Sequence, residues 1–187
     1  MDNYTFKSIV WKTTLVHTVT YFLMGLLALN FMGYTARFAD PQVATYMRQT
    51  DNAWVAVGPL FQIVRGLLFG WAFFLLRQVV FARKSGWLIM WLVLVIIGIL
   101  SPFGAAPGSI EGAIYTNLPI MTHVIGLPEV LLQALLLAVF THLWVNHPYW
   151  KWMGWLFGIL FILVVLMSTL GFLAAQGILQ VPEAFAM

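Results

Sequence analysis

The chain has 187 residues, of which 62% are hydrophobic and 8% are charged, whereas soluble domains carry about 25% charged residues. A soluble domain of this size could not bury so much apolar surface, so the composition excludes one and predicts an integral membrane protein. The net charge of +3 without a long basic run excludes a nucleic-acid surface, and the absence of cysteine excludes disulfides, thiolate metal sites and cysteine nucleophiles.

Five apolar segments have the composition of membrane-spanning helices, which need roughly 20 apolar residues. In chain order they are residues 9–32, 54–81, 86–100, a fourth segment that ends near Val145, and 152–175. The third segment is short, and the fourth begins either at Pro119, with a kink at Pro128, or at Leu127. The sequence therefore predicts an all-α, polytopic transmembrane helical bundle, folded as a single domain over residues 1–187.

Lysine and arginine set the predicted orientation, because the cytoplasmic loops of membrane proteins are enriched in them. With five spans, one side of the membrane receives Lys7, Lys12, Arg83, Lys84 and Lys151. The loops on the other side hold only Arg37 and Arg48. We therefore expect a multi-pass protein of the cell membrane with a cytoplasmic N-terminus and an outward C-terminus.

Two of the predicted helices carry glycines at the four-residue spacing that lets helix backbones approach closely. They are Gly66 and Gly70 in the second helix, and Gly154 and Gly158 in the fifth. These pairs predict close packing inside the chain. They also leave open a docking face for a homodimer or for a larger membrane complex.

Arg65 is the residue that most strongly indicates a site. The helical rise places it about 16 Å inside the second segment, near the middle of a hydrocarbon core about 30 Å thick. A cation at that depth costs at least about 2.5 kcal/mol, so we expect Arg65 to face the bundle interior and to meet a carboxylate, backbone carbonyls or water, with a carboxylate pair favoured. Glu129 and Glu111 are equal candidates for that partner. Such a pair could bind a ligand, or it could only fix the helix register.

The leading hypothesis is a protein that binds or moves a small molecule or a membrane lipid through a polar cavity that opens outward. The residues expected to line this cavity are Gln62, Arg65, Glu111, Tyr115, His123, Glu129 and Gln133. One rival hypothesis is a non-catalytic subunit of a larger membrane complex. The other is a membrane enzyme that uses Glu111, Glu129 or His123 as acid and base.

A polar stripe marks one face of the first helix, where the spacing brings Thr13, His17, Thr20 and Tyr21 together. We expect His17 to form hydrogen bonds across helices and His142 to lie at the membrane surface. Two histidines on different helices could also ligate haem. No further haem motif supports that alternative, so no cofactor and no metal site are predicted.

Two segments resemble parts of small multi-pass bacterial membrane proteins. They are GPLFQIVRG, residues 58–66, and PGSIEGAIYT, residues 107–116. The resemblance covers the second to fourth helices and implies a bacterial origin, hence the inner membrane, but no particular activity. The five-helix count is also similar to that of the translocator-protein family of ligand-binding membrane proteins, although the motif spacing of that family is missing here.

Overall fold

The computed structural model describes residues 4–179, and within them the chain forms helices and no strand. The helices in chain order are α1 (Phe6–Phe31), α2 (Tyr34–Phe38), α3 (Pro41–Ala44), α4 (Ala53–Ala56), α5 (Gly58–Leu75), α6 (Arg77–Val80), α7 (Gly86–Val93), which continues as a π-helix (Leu94–Leu100), α8 (Ile110–Tyr115), α9 (Ile120–Ile125), α10 (Leu127–Asn146) and α11 (Lys151–Ala175). The predicted all-α class is confirmed.

Four helical stretches are long and apolar enough to cross a membrane, which makes the chain an integral membrane protein. They are α1, α5, the continuous stretch Ile120–Asn146 and α11. The stretch Gly86–Leu100 is apolar but shorter, with 8 α-helical and 7 π-helical residues. At the α-helical rise it would extend about 22 Å, less than the core thickness of about 30 Å.

This short stretch nevertheless carries the chain from one end of the bundle to the other. At one end, the hydroxyl of Tyr4, just before α1, donates to the carbonyl oxygen of Phe81 at 3.2 Å. At the opposite end, the hydroxyl of Tyr46 donates to the carbonyl oxygen of Ala105 at 3.2 Å. Counted with this stretch, the helices make five passes along the bundle, of which four are long enough to cross a membrane, and the fourth pass begins at Ile120.

Helix α1 is the centre of the bundle, with α5, α10 and α11 packed against it. Every residue from 13 to 20 is buried, and several of them are threonines. Such polar side chains are tolerated inside the membrane because neighbouring helices, rather than lipid, surround them. The hydroxyls of Thr14 and Thr20 donate to the carbonyl oxygens of Val10 and Val16, each at 2.8 Å, which satisfies them within the helix.

Gly66 and Gly70 bring α5 directly onto the backbone of α1. A Cβ at Gly66 would lie 2.7 Å from Cα of Thr14, and a Cβ at Gly70 would lie 2.6 Å from Cα of Val10. This pair is therefore used inside the chain, as one reading of the spacing predicted, and it is not a free docking face. In α11, a Cβ at Gly158 would meet nothing within 4 Å.

The fourth pass begins with α9 and is interrupted at Gly126, where α10 follows. Pro128 lies in the first turn of α10, where its missing N–H removes no helical hydrogen bond. Glu129 is therefore about 14 Å along the stretch that starts at Ile120. Of the two predicted starts of the fourth segment, Pro119 and Leu127, the structure therefore agrees with the one near Pro119.

The two ends of the bundle differ in charge. The end that contains the start of α1 and the close of α10 also holds Lys7, Arg83, Lys84 and Lys151, whereas the end with α2 and α4 holds Arg37 and Arg48. We refer to the second end, with its helices α2–α4, α8 and α9, as the cap. Helix α11 finishes against α4 at the cap, and the predicted outward C-terminus, residues 180–187, lies outside the described residues.

Candidate functional site

His17 is the centre of a polar layer that joins three helices. Its Nε2 donates to Oε1 of Gln62 on α5 at 3.2 Å, and its Nδ1 accepts from Nε2 of Gln133 on α10 at 3.2 Å. Because an amide oxygen only accepts and an amide nitrogen only donates, these two bonds define a neutral imidazole protonated on Nε2. The predicted cross-helix bonding of His17 is confirmed, and we call His17, Gln62 and Gln133 the histidine layer.

Aromatic and charged side chains surround the histidine layer. The ring of Phe69 meets the His17 ring edge-on, with centroids 5.0 Å apart, and the ring of Tyr21 lies 6.3 Å from it. Arg65 follows Gln62 by three residues and precedes Phe69 by four, so the three share one side of α5.

Arg65 is exposed on the side of the bundle, so the expectation that it faces the interior is wrong. The face of α5 that meets α1 is taken by Gln62 and the two glycines, which leaves Arg65 at its edge. The expected ion pair is not formed either. Glu129 accepts a hydrogen bond from the hydroxyl of Tyr34 instead, and Glu111 lies on α8 in the cap.

We infer a groove along the bundle beside Arg65 from the way three helices pack. Helices α5 and α10 both pack against α1 but not closely against each other, so α1 forms the floor between them. Polar side chains of all three helices lie at or beneath this inferred Arg65 groove: His17, Tyr21, Gln62, Arg65, Glu129 and Gln133. Because Arg65 is exposed on the side of the bundle, we expect the groove to open sideways and not outward.

Tyr34 and Glu129 close the groove at its cap end. Tyr34 is half-buried on α2, stacks on Phe38 with centroids 5.0 Å apart, and has the guanidinium of Arg37 5.5 Å from its ring centre. Burial, and then the hydrogen bond to the Glu129 carboxylate, raise the pKa of Tyr34. The phenol therefore stays protonated and keeps donating to Glu129.

The structure divides the seven predicted site residues into two groups. Gln62, Arg65, Glu129 and Gln133 line the Arg65 groove, whereas Glu111, Tyr115 and His123 belong to the cap. Tyr115 is 74% exposed. His123 is buried, where its Nδ1 accepts from the backbone N–H of Gly108 at 3.2 Å and its Nε2 lies 3.4 Å from Oγ1 of Thr116. His123 thus holds the loop of the cap in place.

The cap also contains an open cleft of about 480 Å³ between its two loops. Its lining is Pro41, Gln42, Thr45, Tyr46, Thr116, Asn117 and Leu118, none of which was predicted as a site residue. The lining carries amide and hydroxyl groups but no charge. The cleft is therefore a weaker candidate than the Arg65 groove for binding an ion or a charged molecule.

The haem alternative would require His17 and His142 to give up existing hydrogen bonds. His142 Nδ1 donates to the carbonyl oxygen of Val80 at 2.8 Å, and its Nε2 accepts from Nδ2 of Asn146 at 3.1 Å. Both ring nitrogens of each histidine are thus already bonded to protein groups. Within residues 4–179, no group of three or more histidine, aspartate or glutamate side chains is arranged to hold a metal ion.

Sequence reasoning did not include Tyr21 and Tyr34 in the site. Tyr21 gave a signal, because it ends the polar stripe of α1 that also contains His17. Tyr34 gave none, since its contact with Glu129 spans 95 residues of sequence and depends on how α2 folds over the bundle.

Comparison with known proteins adds no assignment, since no protein family, no curated protein and no solved structure matches the chain. A functional proposal therefore depends on the geometry of the groove.

Proposed function

We propose that this membrane protein binds an anionic amphiphile, such as a lipid or a lipid-like small molecule, in the Arg65 groove. One observation carries the proposal. An arginine is exposed halfway along a membrane-spanning helix, next to a layer of hydrogen-bonding side chains that the bundle holds in fixed positions.

The depth of Arg65 requires a counter-charge. It is the eighth of the 18 residues of α5, about 10 Å from the helix start by the helical rise. An unpaired cation there costs at least about 2.5 kcal/mol, and the nearby carboxylate of Glu129 is engaged by Tyr34. A carboxylate or phosphate group of a ligand would supply the missing charge and could take two parallel hydrogen bonds from the guanidinium.

The neighbours of Arg65 suit the apolar part of such a ligand. Phe61 and Leu68, four residues before and three after it, are 53% and 58% exposed and lie beside it on α5. An acyl chain that approaches from the membrane would contact these side chains while its polar group reaches Arg65. Movement of the ligand toward the cap would additionally require the contact between Tyr34 and Glu129 to open.

The rival hypotheses receive less support from the geometry. An acid–base enzyme would need His123 close to a carboxylate, but His123 is bonded to the cap loop and Glu129 is bonded to Tyr34. A subunit would need a docking face, and α11 does expose many apolar side chains. Lipid would cover that face equally well, so it does not favour a protein partner.

A photoactivatable fatty acid tests the proposal. The full chain in mild detergent is irradiated with this probe, and the labelled peptides are identified by mass spectrometry. We expect labelling in α5 and α10 around the groove. Arg65→Gln should reduce it about tenfold or more, because a charge-assisted hydrogen bond contributes about 1.5–3 kcal/mol, whereas Arg65→Lys should retain part of it.

Arg77→Gln is the matched control. Arg77 lies at the end of the bundle away from the cap. Its guanidinium lies over the ring of Phe74, 4.4 Å from the ring centre, and donates to the backbone carbonyl oxygen of Phe74 at 3.1 Å. Labelling of the groove should survive this change. If Arg65→Gln leaves labelling intact, or if the probe labels only the exposed face of α11, the proposed function is wrong.

A further inference from the structure

A second groove lies at the opposite end of the bundle from the cap. It has a volume of about 570 Å³ and is lined by Thr5, Lys7, Ser8, Trp11, Lys12 and Trp144. We call it the lysine groove. It is formed where the start of α1 meets the close of α10, and it shares no residue with the Arg65 groove.

Among the residues that the structure describes, the lining of the lysine groove carries two positive charges and no negative one. Lys7 is exposed, and Lys12 is half-buried. The Lys12 ammonium donates one hydrogen bond to the carbonyl oxygen of Trp144 at 2.9 Å and lies 5.6 Å from the centre of the Trp144 ring. An ammonium has three N–H donors, and within residues 4–179 only this one is used, which leaves two for a ligand. The first turn of α1 contains no acidic residue that would neutralise them.

The groove lies at the end of a membrane-spanning helix, where we expect phospholipid headgroups. Lys12 is six residues into α1, about 9 Å from its start, so the lining runs from the end of a membrane-spanning helix toward the apolar region. Trp11 is 56% exposed at this level. Tryptophan prefers this boundary, because its ring contacts acyl chains while its N–H reaches polar groups.

We propose that the lysine groove binds the phosphate of an anionic phospholipid from the leaflet at this end of the bundle. Lys7 and Lys12 pair with the phosphate oxygens, the hydroxyls of Thr5 and Ser8 border the headgroup, and Trp11 contacts the first acyl carbons. A phospholipid fits better than free phosphate, because an exposed indole at the membrane surface provides contact for chains that free phosphate does not have.

Native mass spectrometry of the full chain, titrated with phosphatidylglycerol, tests this assignment. We expect the unmodified chain to bind phosphatidylglycerol more tightly than zwitterionic phosphatidylcholine. The double substitution Lys7→Gln with Lys12→Gln should weaken phosphatidylglycerol binding roughly tenfold. Lys7→Gln alone, which breaks no hydrogen bond in the protein, should give part of that loss, and Lys12→Arg should restore most of the binding.

Arg83→Gln with Lys84→Gln is the control, because it removes the same charge from the same end of the bundle but outside the groove. Phosphatidylglycerol binding should change less than about twofold. Equal losses in the two double variants would show general surface charge and overturn the assignment. Equal binding of phosphatidylcholine, or full competition by inorganic phosphate, would overturn it as well.

Discussion

The two ring nitrogens of His17 have opposite roles: one donates to Gln62 on α5, and the other accepts from Gln133 on α10. Such a residue holds α1, α5 and α10 in one register, because a shift of any helix would leave a buried polar group without its partner. In a low-dielectric interior an unpaired amide or imidazole is costly. The layer therefore stabilises the floor of the Arg65 groove.

Replacing His17 by alanine should destabilise the bundle. The substitution removes a ring that is 1% exposed, and it leaves Oε1 of Gln62 and Nε2 of Gln133 without their hydrogen-bond partner. We expect the free energy of unfolding to fall by about 2–4 kcal/mol, measured by reversible unfolding in mixed micelles. His147→Ala, in the turn before α11, is the control and should cost less than about 1 kcal/mol. Equal effects of the two changes would mean that the layer contributes little.

The contact between Tyr34 and Glu129 should appear as a coupling energy. In a double-mutant cycle, Tyr34→Phe and Glu129→Gln should be non-additive by about 1–3 kcal/mol, because the first removes the hydrogen bond and the second replaces its charged acceptor by a weaker neutral one. Arg65→Leu combined with Glu129→Gln should be additive within about 0.5 kcal/mol, since these residues share no bond. Additivity for Tyr34 and Glu129 together with coupling between Arg65 and Glu129 would support the Arg65–Glu129 ion pair that the sequence suggested.

Among the helices, α1 shows what hydropathy can and cannot reveal. The predicted segments 9–32, 86–100 and 152–175 lie close to α1, to the stretch Gly86–Leu100 and to α11, because apolar length alone defines a span. Hydropathy did not show that α1 is central. Protein surrounds the middle of α1, residues 13–20, which has no apolar side distinct from a polar one, so only the buried threonines and His17 distinguish it from a lipid-facing helix.

The position of Arg65 could not be predicted for a related reason. Its depth followed from counting residues, but its direction depends on which face of α5 meets α1. The two glycines determine that face, and they lie 40° and 80° around the helix from Gln62, on the side away from Arg65. The spacing of Gly66 and Gly70 was visible in the sequence, but the identity of the helix that they contact was not.

Adding a methyl group at these glycines should separate α5 from α1. Gly66→Ala and Gly70→Ala would each place a Cβ within 2.7 Å of a backbone carbon, which the backbones can relieve only by moving apart. We expect each to lower the free energy of unfolding by at least about 1–3 kcal/mol. Gly158→Ala, where a Cβ meets open space, should be neutral or stabilising by about 0.5–1 kcal/mol. Comparable losses at all three positions would argue against a close α1–α5 contact.

For the whole molecule, contacts between distant parts of the chain fix which loops share an end. Tyr4 bonds to both Phe81 and Asn146, so the start of α1, the loop after α6 and the turn after α10 lie together. Arg83, Lys84 and Lys151 belong to these connections. This grouping agrees with the distribution of charge in the sequence, and from the positive-inside tendency we expect this end to lie in the cytoplasm.

Labelling of single cysteines can test the orientation, because the chain has no cysteine of its own. Lys84→Cys and Lys151→Cys should react with a membrane-impermeant maleimide only after the cytoplasmic side is made accessible. Asp40→Cys and Asp51→Cys, exposed in the cap, should react in intact cells. The expected orientation would place the lysine groove against the cytoplasmic leaflet, where anionic lipids attract basic residues by about 1 kcal/mol each. Labelling of Lys84→Cys in intact cells would show that the orientation is the reverse of the expected one. Labelling of the variants at positions 40, 51, 84 and 151 all from the same side would contradict an arrangement with five passes.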